Sequence, residues 1–142
     1  MTVMQHKNIL ILFILPALLL ACKPQEVAQK YDKPNWTFTA KPEFSVSMTA
    51  AVMLPDNLNP YRTDSDMMVA LVGDEVRAVG NLYEGIFYLH IQGSDSEVSD
   101  ITFRYWNART LYMYQAEEVV PFRENDILGT PDDPLILTFK AL

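Results

Sequence analysis

Cysteine, histidine, glycine and positive charge are all scarce in this 142-residue sequence. The one cysteine, Cys22, leaves no partner for an intrachain disulfide and no cysteine cluster for zinc. Two histidines, His6 and His90, are too few for a multi-histidine metal site. No G-x-S-x-G segment occurs, which removes one common setting for a Ser-His-Asp triad. Lys and Arg number 11 against 18 Asp and Glu, for a net charge of -7. A nucleic-acid binder needs a basic face to displace counterions from phosphate, so this balance argues against one. The same sign disfavours attraction to anionic lipid. No segment repeats, and none carries a sustained helical period with caps.

The apolar residues are concentrated at the start. Lys7 is followed by an uncharged run from Ile9 to Leu20. Twelve residues are too few for a spanning helix, which needs about 20. A basic residue before a short apolar run is the layout of a secretory signal. Leu19-Leu20-Ala21-Cys22 closes the run and resembles the lipobox of bacterial lipoproteins. The resemblance implies cleavage before Cys22, a diacylglyceryl thioether on its sulfur and acylation of the new amino terminus. Stable anchoring takes more than one acyl chain, at ~0.8 kcal/mol per buried CH₂. Residues 1–21 are then a signal peptide. Residues 22–35, polar and with two prolines, read as the lipidated Cys22 and a flexible tether. Residues 36–142 remain for one domain.

From Trp36 onward the chain reads as short alternating runs broken by turn residues. Trp36–Thr39 is a possible first strand. Phe44–Met53 alternates, with Phe44, Val46, Met48, Ala50 and Val52 on one face. Met67–Val72 is continuously apolar, as in a strand covered on both sides. Gly73-Asp74 turns it into Glu75–Val79, a hairpin signal. Ile86–Gln92 puts Phe87, Leu89 and Ile91 opposite Tyr88, His90 and Gln92. Ile101–Trp106 puts Ile101, Phe103 and Tyr105 inward. Thr110–Tyr114, Val119–Phe122 and Leu135–Phe139 follow. This spacing predicts an all-β fold, an antiparallel β-sandwich of about 8 strands.

Several of these segments together resemble a β-sandwich module of secreted and surface proteins in Bacteroidota. They are Phe44–Val52, Asp66–Val79, Ile101–Trp106, Ile127–Leu135 and the strand closing at Phe139. Leu71 stands where that module often has Phe, and Ala78 where it often has Gly. The resemblance implies an immunoglobulin-like fold and an extracytoplasmic setting, and it implies no reaction.

Two candidate sites emerge. Alternation places Trp106, Tyr112 and Tyr114 on one face of two consecutive strands, opposite Leu111 and Met113. Tyr88 lies similarly on another strand, and Arg104 stands beside Trp106. Together they form a candidate binding face that suits stacking on sugar rings or a protein hot spot. Partial covering of both faces, or cross-strand stabilisation of the sheet, explains the same pattern. Asp64 and Asp66, with Asn57 and Asn59 nearby, are calcium candidates, since calcium takes six to eight oxygens from such loops. Loop aspartates also make Asx-turns, and no D-x-[DN]-x-[DN]-G loop is present. Glu75, Arg77 and Arg104 read as ion pairs on a solvated sheet face, worth little each.

The sequence therefore predicts a non-catalytic lipoprotein of the cell envelope, held by lipid on Cys22 and facing the periplasm or the exterior. Lys23 after Cys22 favours outer-membrane sorting by analogy with other bacteria. The expected role is a protein-interaction or assembly module. A carbohydrate-binding module using the aromatic face is the alternative. No cofactor is expected beyond the calcium candidate.

Overall fold

A computed structural model describes residues 27–142. The signal segment, the lipobox and Cys22 lie outside the described residues. Two antiparallel-rich sheets pack face to face as an all-β sandwich. Among the described residues no helix is long and apolar enough to cross a membrane.

The strands in chain order are β1 (Val46–Met53), β2 (Met67–Val72), β3 (Glu75–Val79), β4 (Asn81–Tyr83), β5 (Ile86–Gly93) and β6 (Asp100–Trp106). They continue with β7 (Met113–Ala116), β8 (Val120–Pro121), β9 (Ile127–Leu128), β10 (Leu135–Ile136) and β11 (Phe139–Ala141). Sheet I has the order β10-β1-β5-β4, with β9 also on β1. Sheet II has the order β11-β7-β6-β2-β3, with β8 also on β6.

Three interruptions explain why there are more segments than the runs read from sequence. Strands β3 and β4 are one run that changes sheet at Gly80, whose N–H donates to the Met68 carbonyl. The pair β7 and β8 lies along β6, broken at Glu117–Val119. The pair β9 and β10 lies along β1, broken by the Gly129–Pro134 breaker cluster. This last pairing is parallel, not antiparallel as expected. The chain reaches β9 from sheet II and so enters beside β1 in the same direction. Gly129 permits the break: it has φ +74°, and a Cβ there would strike the backbone of Leu135 and Ala51.

The core lies between the sheets. Sheet I supplies Met48, Ala50, Val52, Phe87, Leu89 and Ile91, and sheet II supplies Met68, Ala70, Ile101, Phe103 and Tyr105. These are the inward positions of alternating strands, as the period of two requires. Tyr105 is fully buried and touches three rings. Phe87 meets it edge-on at 6.0 Å, Tyr114 stacks at 5.6 Å and Phe139 lies at 5.9 Å. Each such pair adds ~0.5–1.5 kcal/mol beyond area burial.

Two expectations need correcting. Trp36–Thr39 is extended but joins no sheet. It belongs to a strap, residues 30–45, that lies over the outward face of sheet II. Its side chains alternate: Pro34, Trp36 and Phe38 are half-buried, and their neighbours are exposed. The tether also ends sooner than Asn35. Lys30 bridges to Tyr112, the Tyr31 N–H donates to the Leu111 carbonyl, and Trp106 Nε1–H donates to the Tyr31 carbonyl at 3.0 Å. At its other end Phe44 stacks over Arg77 of β3. These anchors bracket Val69 and Leu71, which point outward from β2 and are nonetheless 0% and 2% exposed.

Candidate functional site

Antiparallel register decides which aromatics meet. Residues directly opposed in neighbouring strands share a face. Trp106 is opposed to Met113, and Tyr105 to Tyr114. Trp106 therefore faces outward with Met113 and Arg104, and Tyr114 faces the core. The expected grouping of Trp106 with Tyr112 and Tyr114 does not form. The cause is the hairpin register, which sets Met113 opposite Trp106 and Tyr114 opposite the core residue Tyr105. Trp106 is 4% exposed, held under the strap. Arg104 is half-buried and donates from Nε to Gln115. Tyr88 sits on the outward face of sheet I, across the sandwich from both.

The five candidate residues thus divide among three places. Trp106 and Arg104 belong to the covered face of sheet II. Tyr112 and Tyr114 line a cleft at one end of the sandwich. Tyr88 belongs to the outward face of sheet I.

That last face is partly exposed: Ala51 and Ile86 within it are buried, and its other positions are half-buried or exposed. Its outward positions are Ser47, Thr49, Ala51 and Met53 on β1, Asn81 and Tyr83 on β4, and Ile86, Tyr88, His90 and Gln92 on β5. Ile127 and Ile136 complete it on the β9–β10 side. None is Asp, Glu, Lys or Arg, on a chain with 29 such residues. One cross-strand row, Tyr83–Ile86–Met53–Ile136, crosses β4, β5, β1 and β10, with Ile86 buried between exposed ends. Tyr83, Ile127 and Ile136 are 65%, 66% and 54% exposed. A shallow depression of about 190 Å³ lies beside them, lined by Thr49, Asn81, Tyr88 and His90.

The cleft holds about 200 Å³ and is lined by Asn57, Leu58, Tyr61, Asn107, Thr110, Tyr112 and Tyr114. Tyr61 comes from the 3-10 turn Asn59–Tyr61 in the long β1–β2 loop. Proline at that turn and loop residues around it gave no periodic signal, so sequence reading missed Tyr61. Burial pushes the Tyr114 hydroxyl up, with Tyr112 adding to the shift.

Behind the cleft lies a buried polar network. Asp66 accepts from the Tyr105 hydroxyl, Thr63 N–H and Oγ1–H, Asn107 Nδ2–H and the Ala108 N–H. Burial, reinforced by the Asp66 carboxylate, pushes the Tyr105 hydroxyl far up, so it stays a donor. Five protein donors leave Asp66 no oxygen to offer a cation. Asp64 points to solvent, with Arg62 at 3.7 Å. The two calcium candidates therefore do not converge. Among the described residues no group of three His, Cys, Asp or Glu side chains is placed to hold a metal ion.

A second network closes the other end of the sandwich. Register between β2 and β3 shifts at Ala70/Leu71, which leaves Arg77 as the extra residue of a bulge. The bulge turns its guanidinium under Phe44, whose ring lies 4.4 Å away. Arg77 is 5% exposed, so it is not on a solvated face as the sequence suggested. It forks onto both Glu97 oxygens at 2.6 and 3.0 Å, and reaches Glu75 and the Gln92 carbonyl. Arg77, opposed by burial and helped by Ser94 and Ser99, holds the Glu97 carboxyl down at about 2. Lys41 of the strap pairs with Glu75. Arg104 takes no part. Gly93 is required here, because a Cβ would collide with Glu97 and the Phe122 ring.

No family model matches the chain, and neither a curated protein nor a solved structure does.

Proposed function

We propose that this protein is a non-catalytic lipoprotein of the cell envelope that works as a protein-interaction or assembly module. The observation that carries the reading is the outward face of sheet I, uncharged and with Tyr83, Ile127 and Ile136 more than half exposed. Uncharged surface flanked by charged loops is what the centre of a protein interface looks like, where charge is depleted and tyrosine and methionine are enriched. Tyr83 and Ile136, the exposed ends of the Tyr83–Ile86–Met53–Ile136 row, supply anchors for a partner. The partner is an envelope protein. The ion pairs of Arg77 and the network of Asp66 are satisfied internally, which fits framework roles.

The membrane anchor is lipid on Cys22, with outer-membrane sorting as the expected address. Since the strap docks from Lys30, only residues 23–29 separate anchor and domain. Fully extended, they span at most ~25 Å. The domain then works close to the membrane surface.

Two experiments test this. Cys22→Ser should abolish fatty-acid labelling and release the protein from membranes. A photoreactive side chain at Ile136 should crosslink one defined protein in native envelopes, and the same probe at Thr37 on the strap should not. Crosslinks from Thr37 alone, or from neither position, contradict the docking face.

A further inference from the structure

We propose that the tyrosine cleft at the β6–β7 end of the sandwich binds a single uncharged sugar ring. This goes beyond the docking face of sheet I and uses different residues. The walls are Tyr61, Tyr112 and Tyr114, and Leu58 lies at the base. Asn57 and Thr110 add hydrogen-bonding groups to the lining. No charged side chain lines the cleft, so a phosphate, a carboxylate or an amine would find no counter-charge there. Aromatic walls with amide and hydroxyl groups instead match the apolar C–H face and the hydroxyl rim of a pyranose. Size fits the same ligand. About 200 Å³ falls below the ~300–1,000 Å³ of pockets for drug-sized ligands, and so suits one ring.

The cleft is built in advance of any ligand. Asn107, 2% exposed, ties its walls together. Its Nδ2–H donates to the Tyr61 carbonyl at 2.9 Å, and its Oδ1 accepts from the Thr110 N–H at 2.8 Å. Its own N–H donates to the Tyr112 carbonyl at 3.0 Å. Asn107 is in turn braced by Asp66 and the Tyr105 hydroxyl. Leu111, in the turn directly before Tyr112, sits at φ +63°; its N–H donates to the Asn107 carbonyl and its carbonyl accepts from the Tyr31 N–H, which fixes the end of this wall. Preorganisation of this kind reduces the ordering cost of binding.

The test is nuclear magnetic resonance of the domain from Lys23 to Leu142, titrated with methyl glucoside, methyl galactoside, methyl mannoside and N-acetylglucosamine. At least one should shift the amides of Tyr61, Thr110 and Tyr112, and should receive saturation transfer on its ring C–H protons. Tyr61→Ala should weaken that sugar about tenfold with unchanged melting, because Tyr61 is 54% exposed. Asn57→Ala should weaken it less, and Tyr88→Ala not at all. No shift with any of the four sugars at tens of millimolar overturns the proposal. Shifts clustered at Tyr83 and Tyr88 also overturn it, by moving the glycan to sheet I. A polyproline peptide that shifts the cleft where the sugars do not overturns the sugar assignment in favour of a protein ligand.

Discussion

The two outward faces of this sandwich are made from the same kind of alternating strands and meet different fates. On sheet II the outward side chains include Val69, Leu71, Trp106 and Met113, all buried. The strap covers them, pinned by Tyr31 at one end and Phe44 over Arg77 at the other. On sheet I Ala51 and Ile86 are buried at the centre of the outward face, but Tyr83, Ile127 and Ile136 around them are each more than half exposed. The described chain supplies no cover for them. The difference teaches that an apolar outward face is not by itself a binding surface. Where the chain provides its own lid, the face belongs to the fold.

Breaking the covered face should cost the most. Trp106→Ala removes a buried ring and its hydrogen bond to Tyr31, and should destabilise the domain by ~3–5 kcal/mol in urea unfolding. A loss under ~1 kcal/mol would mean that the strap is not a true lid. Arg77→Ala should cost ~2–4 kcal/mol, because it leaves the half-buried Glu97 carboxylate with only its Ser94 and Ser99 hydrogen bonds.

Acid sharpens the same point. Glu97 titrates near pH 2 in the folded protein, below its ordinary value of 4.5. Its contribution to stability is therefore complete above about pH 4.5 and is lost as pH falls through about 2. The Arg77→Ala variant should lack that share of the pH dependence, which acid titrations of both proteins followed by circular dichroism would reveal.

Cutting the chain before Ser45 should remove the lid altogether. Burial of Val69 and Leu71 is worth ~1.5–3 kcal/mol each, and the chain entropy no longer spent on ordering the strap offsets part of it, so the truncated domain should be less stable by ~2–4 kcal/mol and should bind an apolar dye. The smallest effect is expected on the outward face of sheet I. Tyr83→Ser and Ile136→Thr should change stability by no more than ~0.5 kcal/mol, and should still abolish crosslinking to the envelope partner. A large loss of stability from either would assign that face to the fold instead.

Much of the fold was legible in the sequence because alternation survives wherever one side of a strand is buried. Phe87, Leu89 and Ile91, and likewise Ile101, Phe103 and Tyr105, point inward as their period of two demands. Interruptions within a run were harder to see. Gly80 lets one run serve both sheets, and Gly129–Pro134 splits the last run along β1. The candidate face was legible only residue by residue. Its five residues were named and Met113 alternates with Tyr114 as read, but the hairpin register that sets Met113, not Tyr114, opposite Trp106 is marked by no single residue. Trp36 and Phe38 show the reverse case. Their alternation is real, but it reports contact with a sheet face rather than membership of a sheet. Arg77 was read as an ion pair on a solvated face, and Asp66 as a calcium candidate or an Asx-turn residue, because nothing local marks a bulge or a distant tyrosine hydroxyl.

Oxidative footprinting of the purified domain and of the same protein in native envelopes tests the contrast of the two faces most directly. The account predicts that Tyr83, Tyr88 and Met53 label readily in isolation and are protected in the envelope, with Trp106 and Met113 protected in both. Equal labelling of Tyr83 in the two settings, or heavy labelling of Trp106 in the isolated domain, would contradict it.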